Sequence, residues 1–504
     1  MRDPAVWAEE AAGRDAGKTA IRFEGRAISY GDLARQVDQA ASLFAAGLGL
    51  KPGARIGYLG LNAPEQLLVI LAAARAGLMV VALNWRLAVP EQAYVLANAG
   101  ISALVVEDGF GERIAALTAA TGDIPVFGFG TGGGARLRLA AAVAAETGGG
   151  GIRGDASSPL LIVYTAGTTG RPKGAMLSRE AIRVNAVNAR HMHDMTADDH
   201  ILTVLPMFHV GGLNIQTLPG LALGASVTLH ARFSPEATLA AIARDRPSLT
   251  LQVPTSLQAM IAHPAWAATD LSSLRAVATG STDVPVDLIE AVHARKVPVI
   301  QVYGSTETGP VALYQRIEEA FSSVGSIGRA GLASDIRIAD AQGNPVPDGT
   351  LGEILVRGGN VASGYWRDAQ ATAQAFRAGW FHSGDVGLRE ASGLYRFKDR
   401  IRNVIISGGE NIYPAELERI LRGHPGIAEA AIAGRADARW GKVPVAVVVK
   451  KDPALGAEDV LAAFEGELAR YKHPRAVVFV EALPRNAMGK VVAEDVARLA
   501  ASRS

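Results

Sequence analysis

Residues 164–179 read YTAGTTGRPKGAMLSR, directly after the apolar run SPLLIV. Gly167, Gly170 and Gly174 permit backbone conformations and close approaches that a Cβ would block. Successive N–H groups can then converge on an anion, with the hydroxyls of Thr165, Thr168 and Thr169 as further donors. Lys173 adds a point charge suited to phosphate. The spacing is not that of the common nucleotide loop, where lysine directly follows the second glycine and a hydroxyl residue comes next. Here Gly170 is followed by Arg171, Pro172 and Lys173. The stretch predicts phosphate chemistry outside the GTPases and P-loop ATPases.

The chain around it has 504 residues, too many for one compact core, so at least two domains are expected. It is 49% hydrophobic and 20% charged, with a net charge of +1, and so lacks the basic excess of a nucleic-acid binder. With no cysteine there are no disulfides, no thiolate catalysis and no cysteine-ligated metal; any thiol in the reaction arrives with a ligand. The start, MRDPAVWAEEAAGRD, has no apolar core of the signal-peptide kind. The longest greasy run, LLVILAAARAGLMVVAL (67–83), is short for a membrane span and carries Arg75 at its centre. It predicts a buried helix running into a strand, hence no integral membrane segment and a cytoplasmic location.

Short apolar runs such as ARIGYLGL (54–61), SALVVE (102–107), PLLIVYT (159–165), LTLQVP (249–254) and VPVIQVYG (297–304) alternate with helical patterns such as YGDLARQVDQAASLFAAGL (30–48). This alternation predicts α/β architecture with largely parallel sheets. Beyond about residue 400 the texture changes. NIYPAELERILRGHPGI predicts a capped amphipathic helix, VPVAVVVK a strand and DVLAAFEGELARY a second helix, enough for a small α+β domain. The expected division is 1–400 and 401–504.

The opening stretch resembles the signature of the adenylate-forming superfamily: acyl-CoA synthetases, carrier-loading adenylation domains and beetle luciferases. Further motifs follow in that family's order. They are LPMFHVGG (205–212), QVYGSTETG (301–309), SGYWRDAQATAQAFRAGWFHSGDVG (363–387), DRIRNVIISGGENIYPAELE (399–418) and PRNAMGK (484–490). The resemblance covers nearly the whole chain and is nearest to fatty-acid–CoA ligases, partly through ALNWRLAVPE (82–91). It implies a large N-terminal AMP-binding domain of stacked αβα sheets with a β-barrel-like subdomain. A small, mobile α+β lid domain at the C-terminus would carry the catalytic lysine.

The resemblance also implies roles. Thr165, Gly167, Thr168, Thr169, Gly170 and Lys173 would grip the ATP phosphates. Gly280, Ser281, Tyr303 and Gly304 would hold the adenine, and Asp385 and Arg400 the ribose. Thr306 and Glu307 would act at the phosphates, with Glu307 on Mg2+; one carboxylate plus phosphate oxygens and water is a usual magnesium arrangement. His209, with Val210, Gly211, Ala278 and Gly280, would wall the acyl pocket and move when the thiol arrives. Arg402 would be the hinge, and Ser407, Gly408, Gly409 and Glu410 would line the pantetheine tunnel. Lys490 would bridge the attacking carboxylate and the α-phosphate, stabilising charge that builds in the transition state. Two departures stand out: Ala166 where relatives often have serine, and VATGSTDVP (277–285) where many read GGA-x-x-P.

The implied reaction is ATP-dependent ligation of a carboxylic acid to coenzyme A through an acyl-adenylate, using Mg2+. The pocket segments MFHVGGLN, LQVPTS, ATGST, QVYGST and GPVALY contain no Arg or Lys, and a second substrate carboxylate would want one. A monocarboxylic acid is therefore expected, a medium- or long-chain fatty acid first and an aromatic or alicyclic acid as the alternative. Gly211, Gly212, Ala278 and Gly280 are expected to leave room for it. Rival readings are a carrier-loading adenylation enzyme, a luciferase-like oxygenase and a non-catalytic acyl or nucleotide sensor. A homodimer, and a lysine acetyltransferase acting on Lys490, are further partner expectations.

Overall fold

In a computed structural model of the protein, the greasy run at 67–83 folds as the helix Pro64–Ala76 followed by the strand Met79–Ala82. Arg75, at the end of that helix, pairs with Glu9 at 2.9 Å and Asp38 at 3.0 Å, so its charge is matched inside the protein. No helix among the described residues is long and apolar enough to cross a membrane. The structure describes all residues except 133, 134, 136, 166–171, 281–283, 408, 409, 438, 487–490, 503 and 504.

The chain divides into two compact units, residues 1–336 with 355–382, and residues 337–354 with 383–504. The first unit holds two large sheets. One has nine strands, in the order Arg329–Ala330, Leu313–Tyr314, Val299–Tyr303, Ala276–Gly280, Leu249–Gln252, His200–Thr203, Ser226–Leu229, Thr19–Phe23, Arg26–Ser29. Its inner pairings are parallel and its two ends are closed by antiparallel strands. The other has seven strands, from Leu137–Arg138 at one edge to the antiparallel pair Pro159–Thr165 and Lys173–Ser178 at the other. Strands such as Leu249–Gln252 and Ala276–Gly280 are buried along their whole length, so they read as short, mostly apolar runs without charge, and the polar side chains Thr250 and Gln252 sit buried among them. Helices such as Pro64–Ala76 and Arg179–His193 pack on these sheets, giving the expected layered α/β fold.

A further five-stranded sheet runs Ser334–Ala339, Gly352–Gly358, Trp380–Arg389, Phe376–Arg377, with Tyr395–Arg400 beside Trp380–Arg389; it is the region expected to be barrel-like. The second unit contains another five-stranded sheet, built on the long hairpin Ile427–Asp437 and Gly441–Lys450. Helix Pro414–Arg422 buries Leu417 and Leu421 into a core with Val448 and Phe464. The second predicted helix, DVLAAFEGELARY, is corrected: the α-helix is only Ala457–Ala462, and a short 3-10 turn, Arg470–Lys472, lies at the far end of the stretch. Turns follow, and Gly466 adopts φ +78°, a left-handed conformation that ends a helical pattern the apolar periodicity alone would continue.

Candidate active site

The quoted stretch forms a hairpin, and Lys173 is the first residue of its return strand, paired in register with Thr165. The Thr165 hydroxyl donates to the Lys173 carbonyl at 3.4 Å, so it is already engaged by the backbone. Ser178 then caps the helix Arg179–His193 by accepting from the Ala181 amide at 3.0 Å. Gly167, Thr168, Thr169 and Gly170 lie outside the described residues, as do Ala166, Ser281, Gly408, Gly409 and Lys490.

Tyr303 ends the strand Val299–Tyr303, beside Gly280 at the end of Ala276–Gly280; the register pairs Gly280 with Val302. Ligands of open parallel sheets bind at such carboxyl ends. The following turn, Gly304 to Gly309, is pinned from several directions. The Asn360 amide donates to the Thr308 carbonyl at 2.7 Å, the Asn214 amide donates to the Gly309 carbonyl at 2.8 Å, and the Ala362 amide donates to the Glu307 carbonyl at 2.7 Å. Thr306 and Glu307 are thereby held buried in a rigid turn, at 5% and 8% exposure.

The Tyr365 hydroxyl donates to Oε1 of Glu307 at 2.8 Å. Burial first, and the Glu307 carboxylate second, push the Tyr365 phenol well above its ordinary pKa, so it is a neutral donor across the working range. Lys173 Nζ stands 5.7 Å from the centroid of the same ring. Lys173, Tyr365 and Glu307 thus form one cluster. No group of three or more potential metal ligands occurs among the described residues. A single buried carboxylate such as that of Glu307 fits Mg2+, which takes most of its oxygens from phosphate and water.

Thr279 Oγ1 and Ser305 Oγ are buried and have no hydrogen-bond partner among the described residues. A buried hydroxyl without a partner is costly, and at the ends of these two strands both fit a nucleotide's oxygens. Neither these two residues nor Tyr365 were singled out by sequence reasoning. The only signal was their place within ATGST, YGSTE and SGYW, since each role depends on burial or on a partner distant in sequence.

His209 caps the short helix Val210–Asn214, its Nδ1 accepting from the Gly211 amide at 3.1 Å. That fixes Nδ1 as the acceptor and leaves Nε2 to carry the proton of the neutral ring. At two of the small residues the position a side chain would take is filled by backbone. A Cβ on Gly212 would run into the carbonyl oxygen of Pro206, and one on Gly280 into that of Val302; Ala278 is completely buried. Only at Gly211 would an added Cβ meet nothing nearer than the His209 ring, at 3.2 Å.

In the second unit, Asp385 and Arg400 are register partners of an antiparallel hairpin, and Arg400 Nε lies 3.1 Å from Asp385 Oδ1. Asp385 is 5% exposed, so the pair presents a nearly buried carboxylate held by a half-exposed guanidinium. Next along the chain, Asp399 accepts from the Asn403 side chain at 3.1 Å and from the Ala415 amide at 2.8 Å, tying the turn Ile401–Asn403, which contains Arg402, to the start of helix Pro414–Arg422. Ser407 and Glu410 pair across the hairpin Ile405–Ser407 and Glu410–Ile412.

Residues 8–366 match the family model of the AMP-binding enzymes, and residues 416–490 that of the AMP-binding enzyme C-terminal domain. The chain belongs to this family. It is 47% identical over 99% of its length to an indoleacetate–CoA ligase of Aromatoleum aromaticum, covering 98% of that protein. It is 40% identical over 95% of its length to a feruloyl-CoA synthase of an Amycolatopsis species, covering 95% of it. Among solved structures, ATP-bound MatB from Rhodopseudomonas palustris superposes with a TM-score of 0.90 at 30% identity, over 99% of this chain and 98% of that one. The protein is an AMP-forming acid–CoA ligase, with ATP, Mg2+ and coenzyme A as its reaction partners.

Proposed function

We propose that the acid is aromatic, a monocarboxylate of the arylacetate or cinnamate type, rather than the fatty acid expected first. The observation that carries this reading is the whole-length similarity to ligases named for indoleacetate and ferulate. The packing agrees with it. Gly212 and Gly280 are small because backbone carbonyls occupy the space their side chains would fill, not because an alkyl tunnel passes there.

In the first half-reaction the carboxylate attacks the α-phosphorus of ATP and pyrophosphate leaves. Lys173, with the loop before it, would steer the β- and γ-phosphates, and Lys490 would offset the charge that builds between carboxylate and α-phosphate. Mg2+ bound to Glu307 would neutralise phosphate charge. Asp385, accepting from the ribose hydroxyls, and Arg400 would hold the nucleoside. In the second half-reaction the CoA thiol displaces AMP, with Arg402 as the hinge residue and the segment from Ser407 to Glu410 against the pantetheine. In this reading the adenylation domain runs to residue 400 and the lid follows it. We further propose that the enzyme acts in the cytoplasm as a homodimer and that a lysine acetyltransferase modifies Lys490.

The test is a panel of indole-3-acetate, phenylacetate, ferulate, benzoate and saturated acids from octanoate to stearate, scored by pyrophosphate release with ATP, Mg2+ and CoA. An aromatic acid should lead every saturated acid in kcat/KM by at least about 10-fold, the scale on which apolar pockets discriminate shape. A saturated acid at the head of the panel would overturn the aromatic reading and leave the ligase chemistry intact.

A further inference from the structure

We infer that Tyr365 is a positioning residue for the adenylation site: it aims the Glu307 carboxylate at the Mg2+ of the nucleotide and ties that carboxylate to Lys173. The inference rests on the assignment of Glu307 to Mg2+, and its test is arranged so that the two can fail separately.

Three observations meet at this ring. Its hydroxyl donates to Glu307 Oε1 at 2.8 Å, across 58 residues of sequence. Its face lies under Lys173 Nζ, 5.7 Å from the ring centroid, within the range of a cation–π contact. Its backbone forms an antiparallel bridge with Ala175, two residues beyond Lys173, and its amide donates to the Thr372 hydroxyl at 2.9 Å. Phe376 packs edge-on against it, ring centroids 5.8 Å apart. The ring is therefore held by groups that do not need its hydroxyl, so the hydroxyl is a separable feature.

Its effect on Glu307 is geometric. An ionised carboxylate only accepts, and a phenol bound at Oε1 fixes the plane of the carboxylate and leaves Oε2 as the oxygen for a cation. Hydrogen bonds that orient a metal's ligand tune affinity, and removing one commonly costs 10–100-fold at strongly liganded sites. With one protein carboxylate among mostly phosphate and water ligands, the expected effect is smaller, roughly 5-fold. Lys173 above the ring strengthens the phenol as a donor, so the lysine near the departing phosphates and the carboxylate near the metal report to each other through one side chain.

The experiment measures binding of a non-hydrolysable ATP analogue to the full-length enzyme by calorimetry as Mg2+ is varied, with no acid present. Tyr365→Phe should raise the Mg2+ midpoint roughly 5-fold, while kcat at saturating Mg2+ stays within about twofold and the melting temperature is unchanged. Glu307→Gln should also raise the midpoint, and Tyr365→Phe should then add nothing, because the hydrogen bond it removes no longer has a carboxylate to aim. A midpoint unmoved by Tyr365→Phe but moved by Glu307→Gln overturns the role of Tyr365. A midpoint unmoved by both overturns the magnesium role of Glu307 and the inference with it. If Tyr365→Phe raises the midpoint equally in the native and Glu307→Gln backgrounds, or lowers it in either, the hydroxyl acts elsewhere and the inference also fails.

Discussion

At the scale of single residues, Lys490 carries the sharpest expectation, although it lies outside the described residues. The role proposed for it is a charge placed where charge develops, and that role would belong to one half-reaction. Lys490→Ala should lower acid-dependent pyrophosphate release on the order of 10²–10³-fold, the cost of removing one preorganised stabiliser. Thioester formation from a supplied acyl-adenylate should be largely spared, and equal losses in the two assays would refute the assignment. The roles proposed for Glu307 and Asp385 rest on the same kind of signal, because YGSTE and HSGD place a carboxylate inside an otherwise apolar or glycine-rich context. Tyr365 gave no such signal: a tyrosine in SGYW reads as packing until the fold brings it to Glu307.

At the scale of elements, the segment MFHVGG shows where reading small residues goes astray. Two adjacent glycines look equivalent in sequence, yet a Cβ at Gly211 would meet only the His209 ring, at 3.2 Å, whereas one at Gly212 would run into the carbonyl oxygens of Leu205 and Pro206. Gly212→Ala should therefore force the short helix Val210–Asn214 off its seat, at a cost of roughly 1–3 kcal/mol, the usual penalty for overpacking a filled interior. Gly211→Ala should leave stability close to that of the native chain. Urea denaturation of the two variants checks this, and equal midpoints would contradict the packing described here. The strands were legible because burial gives them short, mostly apolar runs. Helix ends were less so: the periodicity of DVLAAFEGELARY continues past Ala462, where the backbone does not.

At the scale of the whole molecule, stability should carry a visible acid limb. His193 is fully buried; its Nδ1–H donates to the Ala189 carbonyl at 2.7 Å, and its Nε2 accepts from the Gln216 amide at 3.1 Å. Burial is the main cause that pulls its pKa down to about 4. The folded pKa lies below the unfolded one, so the unfolded chain takes up the proton first. The stabilisation from the neutral ring is complete above about pH 6.5 and is lost as pH falls towards about 4, amounting to roughly 3 kcal/mol. His193→Gln should shrink the difference in urea midpoint between about pH 7 and pH 4.5; an unchanged difference would exclude His193 as its source.

The order of motifs along the chain was enough to determine the reaction class, because adenylate chemistry needs a phosphate loop, a metal carboxylate, a ribose acceptor and a lysine, and each leaves a local mark of glycine or charge. It was also enough for the layered α/β fold, because short, mostly apolar strands alternating with helical patterns along the chain specify parallel sheets covered by helices. What only the tertiary structure decided were relations between distant residues. Tyr365 touches Glu307, the hydroxyls of Thr279 and Ser305 are buried without partners among the described residues, and Gly212 and Gly280 are closed by carbonyl oxygens. Contact and burial are properties of the packed chain, and no local pattern of residue types encodes which small side chain borders a cavity and which borders a neighbouring backbone.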